Sequence, residues 1–341
     1  MSTKLVSGRV LRDNESKVKF KMSLNMPSVV PLFFIVLILF ACSAPDFLSI
    51  MNVRNILLHS SPLAILALGM SLVMLTNGID LSVGSLISLV GIVTTILLGG
   101  GYGGDWGGDY GVLFPVIVGF LTASFFGVFN GIIISKIKLP PFIVTLGTMA
   151  ITASLALVLC GGYTQYWHKN WLNEIALTYF LGIPVSFFIV IILFVIIIFL
   201  VHCTSFGAYV YGMGSNEEAL RLCGVKVNLH KTMVYLLSGG LAGVAGIIVT
   251  SRIASGNPII GVGYEFEAIA AAAIGGISFM GGVGHPGFAL LAALTITMLT
   301  NGLGLLGFGT PYQYCGMGAI FVVGMSLNRL LASVVSHKGD E

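Results

Sequence analysis

Between Arg54 and Asp105 the chain carries one charged side chain, Asp80, within fifty residues of almost unbroken apolar sequence. A membrane helix needs about 20 mostly apolar residues, and this stretch holds two. The same texture runs through the chain: 9% of its 341 residues are charged and 56% are hydrophobic. A soluble domain carries about 25% charged residues. The composition therefore predicts an all-α polytopic membrane protein.

Ten segments have the length and apolarity of spans, near 27–45, 61–78, 81–99, 112–134, 141–161, 182–201, 232–250, 265–281, 286–304 and 313–334. They make one transmembrane domain over 27–334, with a basic tail at 1–26, a long loop at 202–231 and a short tail at 335–341. The apolar run ending at Cys42 reads as a first, uncleaved span, because bulky Phe40 suits a processing site poorly. The 45 glycines, often in steps such as Gly239-Gly240 and Gly275-Gly276, predict helices that approach closely.

Lys and Arg set the orientation. With the N-terminus in the cytoplasm, 13 of the 16 basic residues fall inside, and Arg54, Lys169 and Arg252 fall outside. Both termini are then cytoplasmic, and the glycine-rich loop 99–111 is external. An internal repeat is also visible. The stretches 129–142 and 300–313 share Asn-Gly followed by Pro ten residues after the Asn, and 78–91 resembles 263–276. The matched spans stand five apart, an odd offset, which predicts halves that run in opposite directions, an inverted repeat.

Several chemistries are excluded. There is no GxxxxGK[ST], so the chain carries no phosphate-cradling ATP site of its own. No nucleophilic triad or paired-carboxylate arrangement stands out. The five cysteines and six histidines are scattered without metal-ligand spacing, which predicts no metal and no cofactor on this chain. A net charge of +3 gives no reason to expect a nucleic-acid partner. A conduit fits better than an enzyme.

The loop 202–231 has one ordered-looking stretch, 211–225. Ser215 and Glu218 have capping-box spacing, Glu217 and Arg221 stand four apart as a helix pair, and Gly224 follows at a helix stop. These predict a helix of about two turns. A helix so short is marginal in water and is expected to dock against something.

Three stretches together carry a resemblance: "GMSLVMLTNGIDLSVGS" (69–85), "GMGSNEEALRLCGV" (212–225) and "GYEFEAIAAAAIGGISFMGGVG" (263–284), with "LPPFIVTLGTM" (139–149) between them. The chain resembles the membrane permease subunits of bacterial sugar-importing ABC transporters, the group that includes ribose, arabinose, galactoside and autoinducer-2 permeases. One departure is Ser215, where that family usually has glycine.

The resemblance implies an inner-membrane, binding-protein-dependent importer of a monosaccharide, a ribose-like pentose or hexose, or a related small polyol. Its partners would be a cytoplasmic ATPase subunit holding ATP and Mg, a periplasmic sugar-binding protein, and a second permease chain, identical or related. Ser215, Asn216, Glu217, Glu218, Ala219, Leu220, Arg221, Leu222 and Gly224 would form the helix that couples to the ATPase. Asn77, Ser82, Ser85, Thr145 and Thr148 are candidates to line the substrate path, or else bond within a tight bundle. The competing readings are an ion- or proton-coupled secondary transporter, motivated by the repeat and Asp80, and a non-transporting scaffold.

The junction between the second and third spans removes most of the cost of Asp80. There it is expected to cap the third span at the cytoplasmic end, with Gly78 allowing the reversal and Gly84 keeping the helix start slim. Glu265 and Glu267 are expected to open the eighth span in the same way, at its outer end.

Overall fold

The structure, a computed structural model, describes residues 28–99, 111–167 and 171–337. The tail 1–26, most of the glycine-rich loop, Lys169 and residues 338–341 lie outside the described residues.

Backbone polar groups in hydrocarbon must be satisfied within the protein, which a helix does along its own length. The described chain is accordingly helical: α1 Val29–Ser43, α2 Ile50–Leu75, α3 Ser82–Leu97, α4 Leu113–Ile132, α5 Pro141–Leu159, α6 Trp171–Leu177, α7 Val185–Cys203, α8 Ser205–Leu222, α9 Val227–Ile253, α10 Tyr264–Ile274, α11 Pro286–Leu305 and α12 Thr310–His337. A π-helical turn, Ile133–Ile137, extends α4, and Pro141 opens α5 at its first position, where its missing N–H costs nothing. Two-residue strand pairs tie Gln165–Tyr166 to Ser255–Gly256 and Tyr179–Phe180 to Ile183–Pro184.

Each expected span overlaps a helix. Six are long and apolar enough to cross a membrane: Ile50–Leu75, Leu113–Ile137, Pro141–Leu159, Val185–Cys203, Val227–Ile253 and Pro286–Leu305, while Val29–Ser43 and Ser82–Leu97 are shorter apolar helices. The segment 265–281 is different. Its helix, α10, is 11 residues long, about 16 Å of rise, roughly half a hydrocarbon core. Gly275-Gly276 ends it, with Gly276 at φ 87°, a conformation glycine adopts freely.

The core is built on α2 and α9, which are buried through most of their length and pack on each other. Small residues bring them together: a Cβ on Gly69 of α2 would stand 3.3 Å from the Ser238 Cα. The Gly239 position of α9 is closer still to α4, with the Gly127 Cα at 2.9 Å from where a Cβ would sit. Lipid offers no hydrophobic drive between helices, so such close packing supplies the attraction. Helices α3 and α4 lean on α9, while α10 and α11 lean on α2. The outer faces of α4, α5 and α7 expose Phe125, Ile143 and Val195, apolar surface suited to lipid tails.

Candidate functional site

Helix α8 breaks at Asn216, whose φ of −160° and ψ of 95° are extended. The residues from Glu217 to Leu222 form a second short helix set at an angle to the first. Asn216 caps it: its Oδ1 accepts from the Ala219 amide at 2.9 Å. This corrects the expected capping box. Ser215 instead belongs to the preceding helix, where its hydroxyl donates to the Tyr211 carbonyl at 3.1 Å.

The far end closes as the sequence predicts. Gly224 has φ 81°, the Val225 amide donates back to the Leu220 carbonyl at 3.2 Å, and the Gly224 amide to Arg221 at 3.0 Å. That pair of bonds is a Schellman closure. Leu222 is left 82% exposed, an apolar side chain on a charged surface.

Glu217 holds this short helix to the bundle. One oxygen accepts from Arg221 at 2.8 Å, and the other pairs with Lys231 of α9. Burial by itself raises the Glu217 pKa, but the hydrogen bonds and charges of Lys231 and Arg221 outweigh it and hold the carboxyl below its ordinary value. The Arg221 pair follows from spacing. Lys231 is fourteen residues away, and only the fold brings it in.

The first half of α8 is seated by backbone. A Cβ on Gly214 would collide with the Leu75 carbonyl and the Gly282 amide, which are themselves hydrogen-bonded at 2.9 Å. The end of α2, the kink of α8 and the loop after α10 thus meet without intervening side chains. Asn77 lies beside Gly281 here, exposed, with φ 58°. A cleft of about 530 Å³ opens next to it, lined by Asn77, Lys138, Asn216, Glu217 and Lys231.

Asp80 is fully buried. Its Oδ1 accepts from the Ser82 amide at 3.1 Å and the Ser82 hydroxyl at 2.6 Å; its Oδ2 accepts from the Ser238 hydroxyl of α9 at 2.8 Å. It does take an amide at the start of α3, but it is chiefly a clamp between α3 and α9. The expectation of a solvated junction is corrected: the reversal is packed inside the bundle. The left-handed residue of that reversal is Asn77, not Gly78. Gly78 leaves room for the buried hydroxyl of Tyr235, which a Cβ would strike.

Four of the five candidate path residues join the same network. Asn130 of α4 donates to the Ser82 hydroxyl at 3.1 Å and accepts from Thr148 of α5 at 2.5 Å. Ser85 and Thr152 share a hydrogen bond of 2.7 Å, and Thr145 donates to the Ile79 carbonyl at 3.1 Å. Ser82, Ser85, Thr145 and Thr148 are all buried. Of the two readings open at the sequence level, these contacts fit bonding within a tight bundle. Asn130, Thr152 and Ser238 are the members sequence reasoning missed. Asn130 carried a signal, since it heads one of the two similar Asn-Gly stretches, 129–142 and 300–313. Its counterpart Asn301 also pairs with a polar side chain, Asn52 of α2, at 2.9 Å in both directions.

Glu265 and Glu267 lie in the first turn of α10, and both Glu265 oxygens accept from the Gly263 amide at 3.2 Å. A Cβ on Gly84 would overlap Glu265 Oε2 and lie 2.6 Å from the Gly261 carbonyl. The start of α10 therefore sits one turn beyond Asp80 on α3. Among the described residues no three His, Cys, Asp or Glu side chains gather as metal ligands.

Comparison with known proteins agrees with this architecture. Residues 52–325 match the family described as the branched-chain amino acid transport system permease component. The ribose import permease protein of Haemophilus influenzae is 37% identical over 293 residues, 85% of this chain and 88% of that protein. The ribose import permease protein of Escherichia coli K12 is 36% identical over 319 residues, covering 92% and 94%. The D-allose transport system permease protein of the same strain is 32% identical over 328 residues, covering 95% and 98%. No solved structure matches the chain. With matches that run almost end to end through a bundle of membrane-crossing helices, the chain belongs to this permease family, as a multi-pass transport subunit of the inner membrane and not an enzyme.

Proposed function

We propose that the chain is the permease subunit of an ATP-driven importer of a monosaccharide. The family description names amino acids, but the relatives that align over nearly their whole length are named for ribose and allose. A pentose or hexose, or a related small polyol, is the cargo class. ATP and Mg belong to a separate ATPase subunit, and a periplasmic sugar-binding protein and a second permease chain complete the importer. Nine of the ten helices matched to the sequence segments are its unbroken spans and the short α10 is one part of the remaining one, with 202–231 and both termini in the cytoplasm.

The observation that carries this reading is the short helix after Asn216. It is capped at both ends, braced by Glu217 to Arg221 and Lys231, and seated on the end of α2 through Gly214. A segment so fixed passes displacement into the bundle, and its outer surface offers Ala219, Leu222 and charged neighbours to a partner. Ser215 through Leu222, with Gly224, is the ATPase-coupling element. The repeat gains support from the packing: α3 and α4 stand against α9 as α10 and α11 stand against α2, with α2 and α9 paired at the centre. Asp80 is satisfied by two hydroxyls and an amide, which favours a structural clamp over an ion-coupling carboxylate.

The test is replacement of Glu217 and Glu218 by Lys. Sugar uptake should be lost while the chain still accumulates in the membrane. Uptake at the normal rate would refute the coupling assignment.

A further inference from the structure

Where α4 runs out and α9 begins, the surface holds a cavity of about 550 Å³, within the range of ligand sites, about 300–1,000 Å³. Lys136 of the π-helical turn, Arg221 of α8 and Lys226, just before α9, line it from three elements, together with Ile132, Val227 and Leu229. No Asp or Glu is among the described lining residues. Arg221 is already engaged, with its Nη2 on Glu217 at 2.8 Å and its Nε 3.7 Å from Glu218. Lys136 and Lys226 are exposed, and among the described residues neither joins a salt bridge.

Two unpaired ammonium groups and a guanidinium in one lining repel each other, and an anion between them relieves that. The start of α9 adds to the pull. No side chain caps its first turn, so the helix dipole leaves partial positive charge at the cavity wall. The rest of the named lining is apolar, and it continues into surface suited to lipid tails. Ile132 ends a stripe of exposed residues on α4 that includes Phe125 and Phe129, and Leu229 begins one on α9 that includes Met233 and Leu236. Members of each stripe stand three or four apart, so each keeps to one helix face. The ligand that fits carries a phosphate at one end and hydrocarbon along the rest. A soluble phosphate would use the lysines and leave Ile132 and Leu229 bare.

We propose that this cavity holds the phosphate of an anionic phospholipid, with Lys136 and Lys226 on the headgroup and hydrocarbon against the exposed residues beside it. Basic recesses between spans on the cytoplasmic side suit such headgroups, and the cytoplasmic placement of 202–231 rests on the importer reading above. Arg221 lines the cavity from the coupling helix, so the lipid sits against the element that also carries the Glu217 brace. The alternative is a pair of solvated lysines that serve only to orient the chain. On that view any exposed lysine nearby is equivalent. Lys138 supplies the comparison, because it is exposed two residues further on and lines the other cleft, beside Asn77.

The experiment titrates the purified complete transporter with phosphatidylglycerol or phosphatidylcholine and resolves the lipid-bound species by native mass spectrometry. Wild type is compared with Lys136→Gln, Lys226→Gln, the double variant and Lys138→Gln. Wild type should bind phosphatidylglycerol more tightly than phosphatidylcholine. The double variant should lose about fivefold or more of that preference, each single variant part of it, and Lys138→Gln should stay within about twofold of wild type. No preference in wild type, no loss in the double variant, or an equal loss in Lys138→Gln would overturn the site. Displacement of the lipid by inorganic phosphate would overturn it in favour of a soluble anion. A double variant that keeps its lipid preference and instead sheds its ATPase subunit gives the cavity to that partner and overturns it too. The readout needs neither a membrane orientation nor sugar flux. A transporter that shows the preference but carries no sugar therefore overturns the importer reading and leaves the lipid site standing.

Discussion

The Glu265 carboxylate rests directly on the Gly84 backbone, in space that any side chain at position 84 would occupy. Two turns carrying acids, 78–84 and 263–267, are thereby packed into one unit at the starts of α3 and α10. Glu265 is buried and tied to the Gly263 amide, so it has little freedom to withdraw. Gly84→Ala should lower stability by about 1–3 kcal/mol, the ordinary cost of overpacking. Thermal unfolding in detergent will measure it. Shortening the partner in the double variant with Glu265→Ala should recover part of the loss, because residues in contact are not additive.

Asp80 offers a second test. Asp80→Asn keeps an oxygen for Ser82, and Ser238 can turn its hydroxyl to accept from the new amide. That variant should cost about 1 kcal/mol and retain most uptake. Asp80→Leu strands the Ser82 amide and two hydroxyls in a buried site, each at about 1–3 kcal/mol, and should sharply reduce folded protein on a detergent-stable sizing profile. Equal loss of uptake in both, at equal folded yield, would instead point to a carboxylate that works in transport.

The brace at Glu217 predicts a pH dependence. Its carboxyl is held below its ordinary pKa of 4.5 by Lys231 and Arg221 against the opposing effect of burial. A carboxylate depressed on folding contributes fully above its unfolded pKa, and the contribution disappears as pH falls through the lower folded value. Attachment of the short helix should therefore hold from neutral pH to about 4.5 and weaken below it. The pair is about one-third exposed on the Glu217 side (35%), so screening limits its worth to at most about 1 kcal/mol. Glu217→Gln should flatten that acid limb in a fluorescence probe attached near Leu222.

Much of this was legible from sequence, and the reasons for the rest are physical. Helix positions follow from apolar length, a local property, but Gly275-Gly276, read from sequence as a close-packing step inside a span to 281, instead ends α10 at Ile274. The cap at Asn216 was not separable from Ser215, because both residues can cap and the choice is made by Gly214 being pinned against Leu75 and Gly282. The Ser238–Asp80 and Glu265–Gly84 contacts join residues more than a hundred positions apart. Nothing in the local pattern around Asp80 distinguishes a solvated cap from a buried clamp. Only the packing of α9 against α3 does.

Gly214 is the narrowest part of the lever. Gly214→Ala would push α8 off the end of α2, since the obstacle is backbone on both sides. Uptake should fall strongly while partner ATPase activity persists, a separation seen by measuring ATP hydrolysis and sugar flux in the same proteoliposomes. Asn216→Ala, which removes the cap at about 1 kcal/mol, should produce a milder form of the same uncoupling.

The most direct measurement is labelled ribose or allose uptake into proteoliposomes containing the permease with its ATPase and binding protein, with ATP and an ion gradient varied separately. Uptake that requires ATP and both partners, and that survives collapse of every ion gradient, is the result predicted here. Uptake by the permease chain alone, driven by an ion gradient and indifferent to ATP, would contradict it.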